Sequence, residues 1–92
     1  MSRPVRVRKV TGAVHAEVDG ELVVLNPHTE EFVTFNDVAR DVWLAIGDQT
    51  VCVAEVAGCV VAEYDVDADL GTARITDFIG EAVRVGLLET VD

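Results

Sequence analysis

A strand that runs into a helix with no linker constrains this chain more than any other feature of its sequence. In Val24 to Trp43, VLNPHTEEFVTFNDVARDVW, a short strand has Phe32 and Phe35 at its ends. It gives way at once to Asn36, after which the apolar spacing becomes helical. Asn is a favoured helix N-cap, because its side chain can accept a hydrogen bond from a backbone N–H two or three residues on, here Val38 or Ala39. Strand and helix are therefore expected to be fixed against each other. That arrangement suits a small domain that uses a strand edge for recognition.

The neighbouring signals extend this unit into a sheet. Ala13 to Val18 alternates loosely, and Asp19-Gly20 is a strong two-residue hairpin turn. Glu21 to Leu25 is the returning strand. Asn26-Pro27-His28-Thr29 then breaks the ladder, since Pro27 fixes φ and has no N–H to donate. Glu31 to Phe35 is expected as a third strand, and the simplest arrangement is an antiparallel meander with this strand at an edge. Near the N-terminus VRVRKV alternates, which favours a strand there over a tail.

The rest of the chain reads as helical. Val38, Val42 and Ile46 recur at i, i+4, i+8, with Ala39, Trp43 and Leu44 widening the stripe, so a first helix is expected over Asp37 to Ile46 with Trp43 in the core. Thr50 is expected to cap a second helix over Val51 to Tyr64, apolar on almost every face and hence buried. Gly58 within it costs about 1 kcal/mol relative to Ala, which points to a close backbone crossing. Asp65-Val66-Asp67 connects to a third helix over Ala68 to Val85, carrying Ile75, Phe78, Ile79, Ala82 and Val83 at helical spacing. Gly86 stops it, and Leu87 to Val91 closes as a short strand. Strands followed by three helices give an α+β class, expected as one domain over residues 1–92.

Charge narrows the partners. The formal net charge is −10, yet Arg3, Arg6, Arg8 and Lys9 lie within the first nine positions, so from Val10 onward 17 acidic residues face three basic ones. Duplex binding depends on Lys and Arg displacing counterions. The third helix offers only Arg74 and Arg84 against Asp69, Asp77 and Glu81, so nucleic acid is not expected as a partner. The acidity fits either simple solubility or a basic partner. The longest apolar run, Val56 to Ala62, is far short of the ~20 residues that span a bilayer. The basic start has no apolar segment after it to make a secretory signal. A cytoplasmic protein with no membrane contact is expected. Cys52 and Cys59, placed on one helix, would lie about 10 Å apart along its axis, too far for a disulfide, and read as small core residues.

Catalytic chemistry is not expected. His15 falls in a strand and His28 in a turn, and Ser2 is the lone serine. Asp65, Asp67 and Asp69 loosely suggest a calcium loop, but Gly71 is seventh where Gly should be sixth, and Thr76 stands at the twelfth position in place of Glu. Helix capping accounts for these carboxylates better. No metal site, phosphate loop or cofactor is expected.

What remains is recognition. VLNPHTEEFVTFNDVARDVW together with AEYDVDADLGTARITDFI, Ala62 to Ile79, resembles the PqqD-like family, the winged-helix-like peptide-binding domains called RiPP recognition elements. The resemblance spans roughly Gly12 to Thr90. It implies a three-stranded antiparallel sheet packed on three helices, with a precursor leader peptide added to the third strand and lying against the third helix. Carried onto this chain, the strand is Glu31, Phe32, Val33, Thr34 and Phe35, and the helix offers Leu70, Ala73, Arg74, Asp77, Phe78 and Glu81. By the period of two, Val33 and Phe35 face the core and Phe32 is the exposed aromatic, expected as a pocket wall. Arg74 either pairs with a peptide carboxylate or with Asp77 at i+3. The resemblance is strongest to the stand-alone proteins of lasso-peptide pathways, which implies delivery of the leader to a leader peptidase and a macrolactam synthetase. A recognition subunit for a radical-enzyme pathway such as pyrroloquinoline quinone synthesis is the nearest alternative, and a winged-helix transcription regulator a more distant one.

Overall fold

The computed structural model describes residues 4–91; Ser2 and Arg3, singled out above, lie outside them. The elements in chain order are β1 (Arg6–Lys9), β2 (His15–Val18), β3 (Glu21–Asn26), β4 (Glu31–Phe35), α1 (Asp37–Ile46), β5 (Val51–Cys52), α2 (Val53–Val61), α3 (Ala68–Val85) and β6 (Leu88–Val91). This is an α+β fold in which β2, β3 and β4 form the expected antiparallel meander with β4 at its edge. The Asp19-Gly20 turn joins β2 to β3 with φ values of +52° and +83°, the paired left-handed conformations whose twist matches the strands on either side.

A second three-stranded sheet, in the order β5-β1-β6, lies outside that meander. The VRVRKV segment is indeed a strand: β1 pairs with β6 from Arg6↔Val91 to Lys9↔Leu88 and with β5 at Arg6↔Cys52 and Val7↔Val51. Pairing with β5 overturns the expected helix over Val51 to Tyr64. Val51 and Cys52 are extended, Val53 N–H donates to Val5 O at 2.9 Å, and α2 begins only at Val53. Thr50 therefore caps nothing. Two residues are too few to show a period, so only the distant partner β1 reveals the strand.

Other expectations are corrected in the same way. Asn36 holds the extended N-cap conformation, but its side chain makes no capping bond; its carbonyl accepts from Arg40 N–H at 2.8 Å. The Asp67 carboxylate does cap α3, accepting from Leu70 N–H at 2.9 Å. Cys52 and Cys59 sit in different elements, and Cys59 is exposed on α2, not in the core. Gly58 faces open space with nothing near its missing Cβ. The close crossing occurs instead at Gly71 of α3, where a Cβ would stand 3.0 Å from Val61 Cγ2 and 3.2 Å from Val66 Cγ2.

One core joins both sheets and all three helices, with Val7, Leu22, Val24, Phe35, Trp43, Ile46, Ala57, Ile79 and Leu88 among its members. Trp43 is fully buried at its centre. Its indole N–H donates to His15 Nδ1 at 3.1 Å, its ring meets Phe35 edge-on at 5.5 Å, and Lys9 Nζ lies 4.5 Å over its face. Trp43 thus ties β1, β2 and β4 to α1, and its one polar atom is satisfied. Partial burial lowers the Lys9 pKa below its ordinary value, with Asp48 opposing that shift.

Because Gly58 lies inside a helix with no neighbour to displace, Gly58→Ala should raise stability by about 0.5–1 kcal/mol. Thermal unfolding followed by circular dichroism should show a midpoint roughly 4 °C higher. A lowered midpoint would mean that Gly58 has a packing role after all.

Candidate functional site

Strand alternation decides which groups β4 leaves open. Leu25 N–H donates to Val14 O at 2.8 Å, and Val18 closes the two-residue hairpin opposite Glu21. The odd-numbered residues of β3 therefore direct their backbone groups to β2, and Leu22, Val24 and Asn26 direct theirs to β4. Their partners there are Phe35, Val33 and Glu31. The N–H and C=O groups of Phe32 and Thr34 consequently point away from the sheet, along an edge that no other strand among the described residues covers. They present two donors and two acceptors to an added strand.

A cleft lies beside this edge. It has a volume of about 370 Å³ and is bounded by Glu31, Val33 and Phe35 of β4 and by Phe78, Glu81, Ala82 and Val85 of α3, with Asn26, Thr29 and Leu87 at one end. Phe35 and Phe78 meet edge-to-face at 5.2 Å across its floor. Asn26, buried and polar, holds the end shut. Its amide donates to Val85 O at 2.8 Å, while its Oδ1 accepts from His28 N–H at 2.9 Å and Thr29 N–H at 3.4 Å. The turn between β3 and β4 is thereby bolted to the C-terminal turn of α3. Gly86 follows with φ +91°, and a Cβ there would meet His28 Cδ2 at 2.6 Å, so that junction requires glycine.

From Asn26 beside Val85, through Phe35 beside Phe78, the chain tracks α3 backwards to Val38, which shares a second pocket with Arg74 and Ile75. That pocket, about 120 Å³, is completed by Val61, Tyr64, Val66, Leu70 and Gly71. The Tyr64 hydroxyl donates to Asp41 Oδ2. That hydrogen bond first, then burial and the nearby charges of Asp41, Asp37 and Glu63, push its pKa up to about 12. At the cleft's rim the Arg84 guanidinium pairs with Glu81 and holds its carboxyl below the usual range.

The residues expected to contact a peptide thus fall into four groups. Glu31, Val33, Phe35, Phe78 and Glu81 line the cleft, whereas Leu70 and Arg74 line the second pocket. Ala73 and Asp77 are exposed and line neither. Phe32, 72% exposed, and Thr34 sit on the opposite face of the sheet from Val33 and Phe35, so Phe32 is not a wall of the cleft. Arg74 makes no ion pair with Asp77, nor with any other carboxylate among the described residues. Ala82 and Val85 were legible at i+4 and i+7 from Phe78. Asn26 was not, because its partner is 59 positions away. Among the described residues no three His, Cys, Asp or Glu side chains are grouped as a metal site would require, and no helix is long and apolar enough to cross a membrane.

The family model described as Coenzyme PQQ synthesis protein D (PqqD) matches residues 21–88. The fold is similar to the solved structure of TbiB1 in complex with the TbiA(beta) leader peptide, with a TM-score of 0.75 and 25% sequence identity over 89% of this chain and 94% of that one. No curated protein matches the chain.

Two measurements probe the walls of the site. Asn26→Ala strands the Val85 carbonyl and the His28 N–H without partners, and should lower stability by about 1–3 kcal/mol in denaturant unfolding. Tyr64 is the chain's one tyrosine, so its ionisation can be read directly by ultraviolet absorbance. Wild type should titrate near 12 and Asp41→Asn closer to the ordinary 10.0. The raised pKa belongs to the neutral form, so its contribution to stability is complete below about pH 10 and is lost as pH rises through about 12. A wild-type midpoint near 10 would mean the Tyr64–Asp41 bond is absent in solution.

Proposed function

The chain belongs to the PqqD family, and on that premise we propose that it binds the leader region of a ribosomally made precursor peptide by strand addition to β4. The observation that carries this reading is the open edge of β4, whose Phe32 and Thr34 backbone groups point outward beside an apolar cleft. Backbone pairing supplies general affinity, and side chains reaching the cleft supply selectivity. The likeness to TbiB1, solved with a leader peptide, supports the same assignment. The leader would meet Glu31 to Phe35 on one side and Phe78 with its neighbours on α3 on the other, and Arg74 would take a peptide carboxylate.

In this reading the domain performs no chemistry of its own. It acts in the cytoplasm by tethering, raising the effective concentration of the leader near a separate leader peptidase and then an ATP-dependent macrolactam synthetase, as the resemblance to lasso-peptide proteins implies. The family's name favours a second reading, a recognition subunit for the radical-enzyme steps of pyrroloquinoline quinone synthesis. Binding of one precursor's leader and not the other's separates the two. The exposed carboxylates of α3, Asp69, Asp77 and Glu81, argue against a groove-reading DNA helix.

Thr34→Pro removes one of the outward donors, and proline is tolerated on an edge strand whose N–H faces solvent. Fluorescence anisotropy with a labelled leader from a precursor encoded beside the gene should show saturable binding to wild type and none to the variant. Circular dichroism should show the helices retained. Undiminished affinity in a folded Thr34→Pro protein would sink strand addition.

A further inference from the structure

A strand added to β4 meets neighbours of a definite kind. The meander is antiparallel, and antiparallel pairing is the more stable per residue, so a guest strand extends it in that sense. Such a guest bonds to the outward backbone groups of Phe32 and Thr34. Glu31, Val33 and Phe35 then face it in the non-hydrogen-bonded positions, where opposite Cα atoms stand about 4.5 Å apart and side chains come closest. These three residues share one face of the strand and line the cleft against α3. Val33 and Phe35 are apolar, and Glu31 is a carboxylate.

Among the described residues, no cation pairs with the Glu31 carboxylate. Its cross-strand neighbour on β3 is Asn26, whose amide is committed to Val85 O and whose Oδ1 is committed to the His28 and Thr29 N–H groups. The other carboxylate lining the cleft, Glu81, is held by Arg84. Glu30, exposed in the turn just before β4, adds a further negative charge at the same end. The cleft thus combines an apolar floor along Val33, Phe35 and Phe78 with an uncompensated charge where β4 begins.

Opposite charges facing each other across two strands stabilise a sheet, and like charges in the same places destabilise it. Position counts as much as sign. A guest that slips by one residue sends its cation to the other face of the sheet. One that slips by two toward Phe35 sets the cation opposite Val33, over the apolar floor, where burying a charge is costly. Only one register gives Glu31 a partner and keeps apolar side chains over the floor.

Taking strand addition to β4 as given, we propose that Glu31 selects a basic residue in the guest peptide: a Lys or Arg opposite Glu31, two positions C-terminal to the apolar residue that covers Val33. Glu31 is then a specificity-determining residue that fixes the guest's register. It fixes direction as well, since a parallel guest would need the basic residue before the apolar one.

A display selection of random 12-residue peptides on the immobilised full chain, run side by side on wild type and Glu31→Lys, reads the pairing position by position. Glu31 is exposed, so the variant should keep the wild-type circular dichroism spectrum. Wild type should enrich Lys or Arg two positions after an apolar residue. Glu31→Lys should turn that one position to Asp or Glu and leave the apolar preference unchanged. For a selected peptide, replacing the basic residue by Glu should weaken binding to wild type about tenfold, an attraction lost and a repulsion gained. Glu31→Lys should recover most of that loss for the Glu-bearing peptide. Moving the basic residue by one position, at constant net charge, should cost about threefold. Basic residues enriched at no fixed place, or the same profile from both proteins, would overturn the role of Glu31 and leave strand addition standing. A folded wild-type chain that enriches no peptide above background would overturn strand addition, and the selection by Glu31 with it.

Discussion

In an antiparallel sheet each residue directs its backbone groups to one side or the other, and neighbours alternate. One two-residue turn at Asp19-Gly20 sets the phase of that alternation for the whole meander, because Val18 and Glu21 must close it. From there the pattern propagates through Leu25 and Val14 to β4. It leaves Phe32 and Thr34 as the residues whose N–H and C=O groups face outward. The same phase puts Val33 and Phe35 on the side of α3 and Phe32 on the other. A slip of one residue would bury Phe32, expel Phe35 from Trp43 and Phe78, and turn the open edge over. The edge and the cleft are therefore consequences of a single register.

Register alone would not hold the cleft open at a fixed width. The meander and α3 are joined at one end by Asn26, which spans from the turn after β3 to the last turn of the helix, and in the middle by the Phe35–Phe78 contact. The short Leu87 stretch then leads into β6, which pairs with β1. α3 is thus anchored at its C-terminal end to both sheets, whereas its N-terminal half faces the connector that follows α2. The anchored C-terminal end lines the cleft, and the N-terminal half lines the second pocket.

What was legible in the sequence follows the range of the interactions concerned. The hairpin, β4, α1 and α3 came out at or near their observed bounds because each is specified by neighbours: Asp19-Gly20, the Phe32 to Asn36 transition, the helical stripe from Phe78 to Val83, and Gly86. The second sheet was only half visible. Alternation in VRVRKV announced β1, but Val51–Cys52 is extended only because β1 lies beside it. Gly58 and Gly71 make the same point, since both look alike as helix glycines and only packing shows which one a neighbour approaches. Within the site, the period of two separated Phe32 from Val33 and Phe35. It could not place Asn26, or divide the α3 candidates between two cavities.

An open edge strand next to aromatic side chains is also a template for another copy of itself. β4 has neither a proline nor a bulge to prevent this. It does begin at Glu31, which with Glu30 of the preceding turn is exposed, on a chain whose net charge is −10. Two such edges brought together repel one another over about a Debye length, ~10 Å at 0.1 M salt, and an oppositely charged or neutral strand meets no such barrier. Electrostatics here discriminates between self and guest before any side chain is read, and added salt erodes that discrimination.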